Sequence, residues 1–159
     1  MHQRSTPAFF LVVGLCLLLA APACAQRTSG AVGFGGQLGE PSGITLKFYD
    51  AQGPSYDLLA AWDLDDRFFL NAHALFENNI RANIDPDFHW FIGPGGFIGL
   101  FDAPEPVDDE ALIGISGTIG LNLVFNRQVE LYGRLTPRID VLPETEGGVG
   151  GGLGLRYYF

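Results

Sequence analysis

Beyond residue 25 this sequence has no cysteine; its two, Cys16 and Cys24, both lie before that point. The rest of the chain therefore has no disulfide, no thiol nucleophile and no sulfur ligand for a metal. Lysine is almost as scarce, with Lys47 its only instance. There are nine bases against 18 acids; setting aside Arg4 leaves eight bases and a formal charge of −10 for residues 26–159. Such a chain lacks the basic surface that neutralises phosphates, which argues against nucleic acid as a partner. Also missing past residue 25 is any run of 18 consecutive apolar residues. The longest uncharged stretches, 88–101 and 111–126, are interrupted by glycine. Helical membrane spans are not expected. Nor are helices in general, since each glycine weakens a helix interior by about 1 kcal/mol and the chain has 22.

The first 25 residues have a different character. Residues 1–4 carry one positive charge and no acid, 8–21 form a near-continuous apolar run, and Ala23-Cys24-Ala25 supplies a small-x-small exit. This pattern predicts a secretory signal peptide cut after Ala25. A single membrane anchor would need roughly 20 apolar residues, more than this run offers. Lipidation at Cys24 would call for a leucine three places upstream, where Ala21 stands. The expected organisation is a signal peptide, 1–25, and one domain, 26–159.

Within that domain the dominant pattern is alternation with period two, which predicts strands. Eight segments carry it: 30–38, 44–49, 56–64, 67–77, 88–101, 112–125, 129–142 and 148–159. The seventh is the clearest. Val129, Leu131, Leu135, Ile139 and Val141 alternate with Glu130, Tyr132, Arg134, Thr136, Arg138 and Asp140. Short turns separate most segments; 78–87 reads as a polar connection and 102–110 as an acidic loop.

One apolar and one charged face occur in two settings. A soluble barrel points the apolar face inward, whereas a membrane barrel points it outward to lipid. Four features favour the membrane. The strand number is even. The segments approach the 9 to 11 residues that cross a bilayer at a tilt. Aromatics sit near strand ends, among them Phe48, Tyr49, Tyr56, Trp90, Phe125, Tyr132 and Tyr157, as two interfacial girdles would. Finally, the chain stops on Phe159, with Tyr157 and Leu155 on the same face. The fold expected is an all-β, eight-stranded antiparallel up-and-down transmembrane barrel. It must close on itself, strand one against strand eight, because an unpaired backbone group in lipid costs several kcal/mol. Leu155, Tyr157 and Phe159 resemble the terminal signature of outer-membrane barrels, a C-terminal aromatic preceded by alternating hydrophobics, and that resemblance implies an assembly signal. The expected partners are outer-membrane lipid and the barrel-assembly machinery, with the barrel itself monomeric and in the outer membrane.

The polar face carries Lys47, Asp63, His73, Glu130, Arg134, Arg138, Asp140 and Arg156. An eight-stranded barrel is barely wide enough inside for side chains. These residues are therefore expected to fill the lumen as an ion-pair network, with Glu130–Arg134 and Arg138–Asp140 as candidate pairs. A narrow ion path is the sharper alternative. His73 and His89 invite a catalytic reading, in which His works with Ser and an acid. However, Ser29, Ser42, Ser55 and Ser116 have no distinctive neighbourhood. Asp108-Asp109-Glu110 offers carboxylates to a divalent cation but lacks EF-hand spacing. The glycine-rich stretch 147–154 has no following Lys-Ser/Thr and is not a phosphate loop. No cofactor or catalytic role is assigned. A soluble periplasmic lipocalin-like barrel binding an apolar ligand and a lipid-modifying enzyme stand as alternatives to a structural or minor-channel barrel.

Residues 35–44 (GGQLGEPSGI), 137–143 and 150–159, whose terminal GLRYYF is the most specific part, together resemble a family of small, largely uncharacterised outer-membrane β-barrel proteins of Bacteroidetes-like bacteria. The resemblance spans about residues 30–159. It implies an eight-stranded barrel and supplies no reaction. Phe97 and Gly99 stand where it leads one to expect basic lumen residues. With both termini periplasmic, the outer loops follow strands one, three, five and seven. All are short, which speaks against a receptor or adhesin.

Overall fold

The computed structural model describes residues 27–62, 67–81, 86–101, 110–143 and 145–159. The signal-peptide reading, Asp63 and most of the Asp108-Asp109-Glu110 run fall outside them. Eight strands follow one another in chain order: β1 (Val32–Glu40), β2 (Gly43–Phe48), β3 (Ser55–Trp62), β4 (Arg67–Arg81), β5 (Asp87–Phe101), β6 (Glu110–Phe125), β7 (Val129–Leu142) and β8 (Gly147–Tyr158). Each pairs antiparallel with its neighbours, and the sheet is a closed barrel. β1 meets β8 from Gly33 opposite Tyr158 to Glu40 opposite Gly151, so no backbone edge is left open.

Following paired residues once round the wall measures the stagger. From Glu130 the path runs through Arg156, Gly35, Thr45, Leu59, Asn71, Phe97 and Gly114. It returns to β7 at Asp140, ten residues further on (140 minus 130). This offset tilts the strands and, with their number, sets the barrel's width. It also means that inward residues at one height come from quite different points along their strands.

The alternation places residues as the period-two pattern requires. Leu135, Leu153 and Ile115 lie on the outside, at 60%, 69% and 59% exposure. Lys47, Glu130 and Arg156 lie inside, at 0%, 0% and 1%. One strand differs from expectation. β4 continues past Glu77 to Arg81, with Asn78 opposite Trp90 and Asn79 opposite His89. A backbone ladder accepts polar side chains as readily as apolar ones at a barrel end, so 78–81 read as loop but pair as strand. The aromatic pattern also divides. Phe48, Tyr56, Phe76, Trp90, Phe125, Tyr157 and Phe159 point outward near the end that holds the termini. Tyr132, Phe91, Phe97 and Tyr158 are buried inside instead. Among the described residues the opposite end shows Phe68 as its outward aromatic.

The inward glycines have a packing role. A Cβ on Gly154 would meet the Tyr132 ring at 2.2 Å, and one on Gly33 the Tyr158 ring at 2.8 Å. Gly114 lies under Phe97, Gly120 under Phe91, Gly95 under His73 and Gly148 under Arg138. In all six cases the large residue is the glycine's own cross-strand partner. Each glycine is thus the seat on which a bulky inward side chain lies flat, and this lets a narrow barrel hold aromatics and arginines.

Two prolines sit in paired strands, where a missing N–H normally breaks the ladder. Pro94 and Pro137 flank Gly117 of β6, and both point outward. Cross-strand pairing lapses beside each: at Ala74 and Leu75 on β4, and at Gly117 and Thr118 on β6. The Thr118 hydroxyl bridges part of the second gap by donating to the Leu135 carbonyl at 3.3 Å.

Gly154→Val is expected to destabilise the barrel by about 1–3 kcal/mol through overpacking against Tyr132, measured by urea unfolding in lipid vesicles. Combined with Tyr132→Ala it should cost less than the sum of the two single losses. Additive losses would refute the seat.

Candidate functional site: the charged lumen

In water each charged side chain carries its own hydration; inside this barrel it must find a partner. The partners form a ladder of alternating sign. Arg27, just before β1, bonds Glu77 of β4. Glu77 accepts from Lys47 of β2 at 2.7 Å, and Lys47 reaches Glu130 of β7 at 2.9 Å. Glu130 lies 3.6 Å from Arg156 of β8. Arg156 then bonds one oxygen of Asp57 on β3, and Arg134 of β7 bonds the other. Seven charges from five strands and the N-terminal segment thus run from the termini end toward the barrel's middle.

Neutral groups complete the shell. Asn122 donates to Glu130 at 2.7 Å and to Glu77 at 3.1 Å, and the Ser55 hydroxyl donates to Glu77 at 3.1 Å. The Tyr158 hydroxyl donates to Glu130. Arg156 Nε donates to the Thr45 hydroxyl at 3.0 Å, while its guanidinium lies 4.0 Å from the Tyr132 ring centre. Tyr132 in turn donates to Gln37 at 3.3 Å. Burying such ions costs desolvation that their attraction repays only with good geometry. The ladder is therefore better evidence for one specified arrangement than for added stability.

Of the lumen residues singled out in the sequence, Lys47, Glu130, Arg134 and Arg156 enter the ladder. The anticipated Glu130–Arg134 pair does not form. Residues four apart on a strand are separated by roughly 13 Å along it, and partners from across the lumen are nearer. Arg138 and Asp140 form no ion pair with each other among the described residues. Arg138 lies against Gly148, with its guanidinium 5.9 Å from the Phe69 ring centre. Phe69 stacks on Phe97 at 5.0 Å, so β5 contributes aromatic packing where bases had been expected. Periodicity left out Asp57, Glu77, Asn122 and Tyr158 as ladder members. Asp57 and Glu77 have the inward parity of their strands, and that signal was available. Arg27 lies outside any strand, so no periodic signal marks it.

His73 stands apart from the ladder. Its Nε2 is 3.0 Å from the Ser116 hydroxyl, across the gap that Gly95 leaves, and Asn71 Oδ1 lies 3.4 Å from the same hydroxyl. No acid among the described residues bonds the other ring nitrogen, and both oxygens of nearby Asp57 are held by arginines. The arrangement is a Ser–His pair rather than a triad. His89 lies elsewhere, at the termini end, with Nδ1 3.4 Å from Arg27 Nη1. Among the described residues no three His, Asp or Glu gather as a metal site requires. Outside the barrel wall, the turn after β2 is tied by Asp50. The Gln52 N–H and the Ser29 hydroxyl hold its carboxyl below the ordinary carboxylate range.

No protein-family model and no curated protein matches the sequence. The fold does have a solved counterpart. It is similar to the crystal structure of the N-terminal β-barrel domain of Pseudomonas aeruginosa OprF, with a TM-score of 0.58 and 11% identity. The match covers 81% of this chain and 96% of that one. At this identity the likeness is one of fold.

Asp57→Asn leaves two buried arginines short of a counter-charge and is expected to cost about 3–5 kcal/mol. Arg138→Gln, outside the ladder, should cost markedly less. Urea unfolding of both variants in lipid vesicles checks this; equal losses would contradict the ladder's primacy.

Proposed function

We propose that this chain is an exported outer-membrane barrel with a structural role, its lumen sealed by the ion-pair ladder. The observation that carries the reading is the inversion of the ordinary protein plan. Charges, amides and hydroxyls lie in the interior beside a few packed aromatic and aliphatic side chains, while isoleucine, leucine, valine and phenylalanine cover the wall. A soluble monomer rarely exposes an apolar patch beyond a few hundred Å², and here the whole circumference is apolar. A lipocalin-like barrel would need an apolar interior for its ligand. This interior is charged, hydrogen-bonded and packed onto glycine seats.

Three further features support the reading. The ring of outward aromatics at the termini end is what a membrane–water interface selects. Closure of the sheet, each strand paired with a neighbour on both sides, leaves no free edge strand for lipid to meet, and none for a second copy to extend, in keeping with a monomer. At the C-terminus, Phe159 donates its N–H to Val32 at 2.9 Å and packs edge-on against Tyr157, ring centres 5.1 Å apart. The last outward aromatics thus lie on the β1–β8 closure, as an assembly signal read by the barrel-assembly machinery would.

Cell fractionation should return the protein in the membrane pellet, released only by detergent; recovery in the soluble periplasm would sink the proposal. In planar bilayers the purified barrel should show no unit conductance. Regular openings would favour the minor-channel role instead.

Deleting Phe159 should lower membrane insertion several-fold, scored by heat-shifted mobility on gels. Unchanged insertion would remove its role as a signal.

A further inference from the structure

Arg27 differs from the other ladder members. The remaining six charges balance as three acids and three bases: Asp57, Glu77 and Glu130 against Lys47, Arg134 and Arg156. Arg27 is the additional cation. Without it Glu77 still keeps Lys47, Ser55 and Asn122. Arg27 also comes from outside the barrel wall, on a short segment before β1. Its own N–H reaches Arg127 at 2.5 Å, Gly30 donates to Tyr49 at 2.9 Å, and Tyr49 donates to Ala31 at 2.9 Å.

What Arg27 occupies is a recognition site for the two terminal nitrogens and the face of its head group; its buried Nε has no partner among the described residues. The Glu77 carboxylate binds one Nη, and His89 Nδ1 lies 3.4 Å from the other. The Tyr49 ring centre lies 4.1 Å from the guanidinium carbon and the Tyr158 ring centre 5.8 Å. A carboxylate with aromatic faces beside it is the chemistry that selects a planar cation. All four groups belong to the barrel or to the residue following β2, and none belongs to the segment carrying Arg27.

We infer that the termini end of the lumen holds a guanidinium-binding site, formed by Glu77, His89, Tyr49 and Tyr158 and filled in cis by Arg27. A guanidinium supplied in trans, free or on an arginine side chain, binds there once Arg27 is absent or displaced. The inference does not depend on whether the lumen conducts or on which membrane holds the barrel.

The test uses the full chain carrying Arg27→Ala in detergent micelles, titrated with methylguanidinium and followed by NMR shifts of Tyr49, Tyr158 and His89. The expected result is a folded barrel with saturable, millimolar binding that equal sodium chloride does not reproduce. The unsubstituted protein should show no such binding. Adding Glu77→Gln should weaken the affinity at least tenfold. Tyr49→Leu, which removes no ladder charge, should weaken it several-fold. N-acetyl-arginine methylamide binding at least tenfold more tightly than methylguanidinium would assign the site to an arginine-bearing chain; equal affinity would assign it to a free cation. Failure of Arg27→Ala to fold would overturn the inference, since Arg27 would then be an inseparable part of the ladder. So would a folded variant with no saturable binding, or binding that neither second substitution weakens.

Discussion

A carboxylate shut inside a barrel of eight strands has no solvent to turn to, so Asp57 must be satisfied by the wall around it. Its two oxygens are divided between Arg134 and Arg156, which come from β7 and β8 on another part of the wall. Arg156 bonds Asp57 and also faces Glu130, and Glu130 is shared with Lys47. Apart from the cross-strand pair Glu130–Arg156, no rung of this ladder joins neighbouring strands. The others require strands that are not neighbours in the wall to be at fixed heights, so the stagger of the sheet and the pairing of the charges specify one another. A barrel closed with a different offset would leave several ions buried without partners, at several kcal/mol apiece.

The ladder does not fill the lumen by itself. Tyr132 and Phe91 close round it, and their rings lie flat over Gly154 and Gly120. Above it the interior changes character, with the Phe69–Phe97 stack, the Ser116–His73 pair and Arg138 laid along Gly148. The outer wall is simpler. Its only chemical requirement is to be apolar, and it meets that with branched aliphatics in the middle and aromatics at the termini end. Division of labour between the two faces explains why the chain has few lysines and many glycines. Ion pairs in a narrow space favour arginine's fixed geometry, and bulky inward residues need a neighbour without a side chain.

Much of this was legible in the sequence because a strand's two faces alternate along most of its length, interrupted here only near the bulges among the described residues. Parity grouped Lys47, Glu130 and Arg156 on polar faces and Leu135 and Leu153 on apolar ones, and the strand number, segment lengths, aromatics and terminal Phe159 decided which face points inward. The closure of β1 on β8 came from the cost of an open edge. Parity, however, is a statement about one strand, and a pair is a statement about two. Glu130 and Arg134 share a face and looked like partners, yet Glu130 meets its cross-strand neighbour Arg156 and, from across the lumen, Lys47 instead. Glu77 was assigned to a strand end because the asparagines after it resemble loop. Arg27 lay beyond any periodic segment. Its role comes from the fold of the chain over the barrel end, which single-strand patterns do not encode.

The glycine seats carry a consequence for how such a lumen can change over generations. Because the bulky residue and its glycine face each other across one ladder, interior volume is conserved by the pair rather than by either position. Among relatives of this chain, size at 132 and size at 154 should therefore drift in opposite directions, as should 97 with 114 and 91 with 120. The bore of the barrel is then a heritable quantity distributed over a handful of coupled sites. It could widen by shrinking the bulky member of one pair at a time, while every charged rung stayed in place.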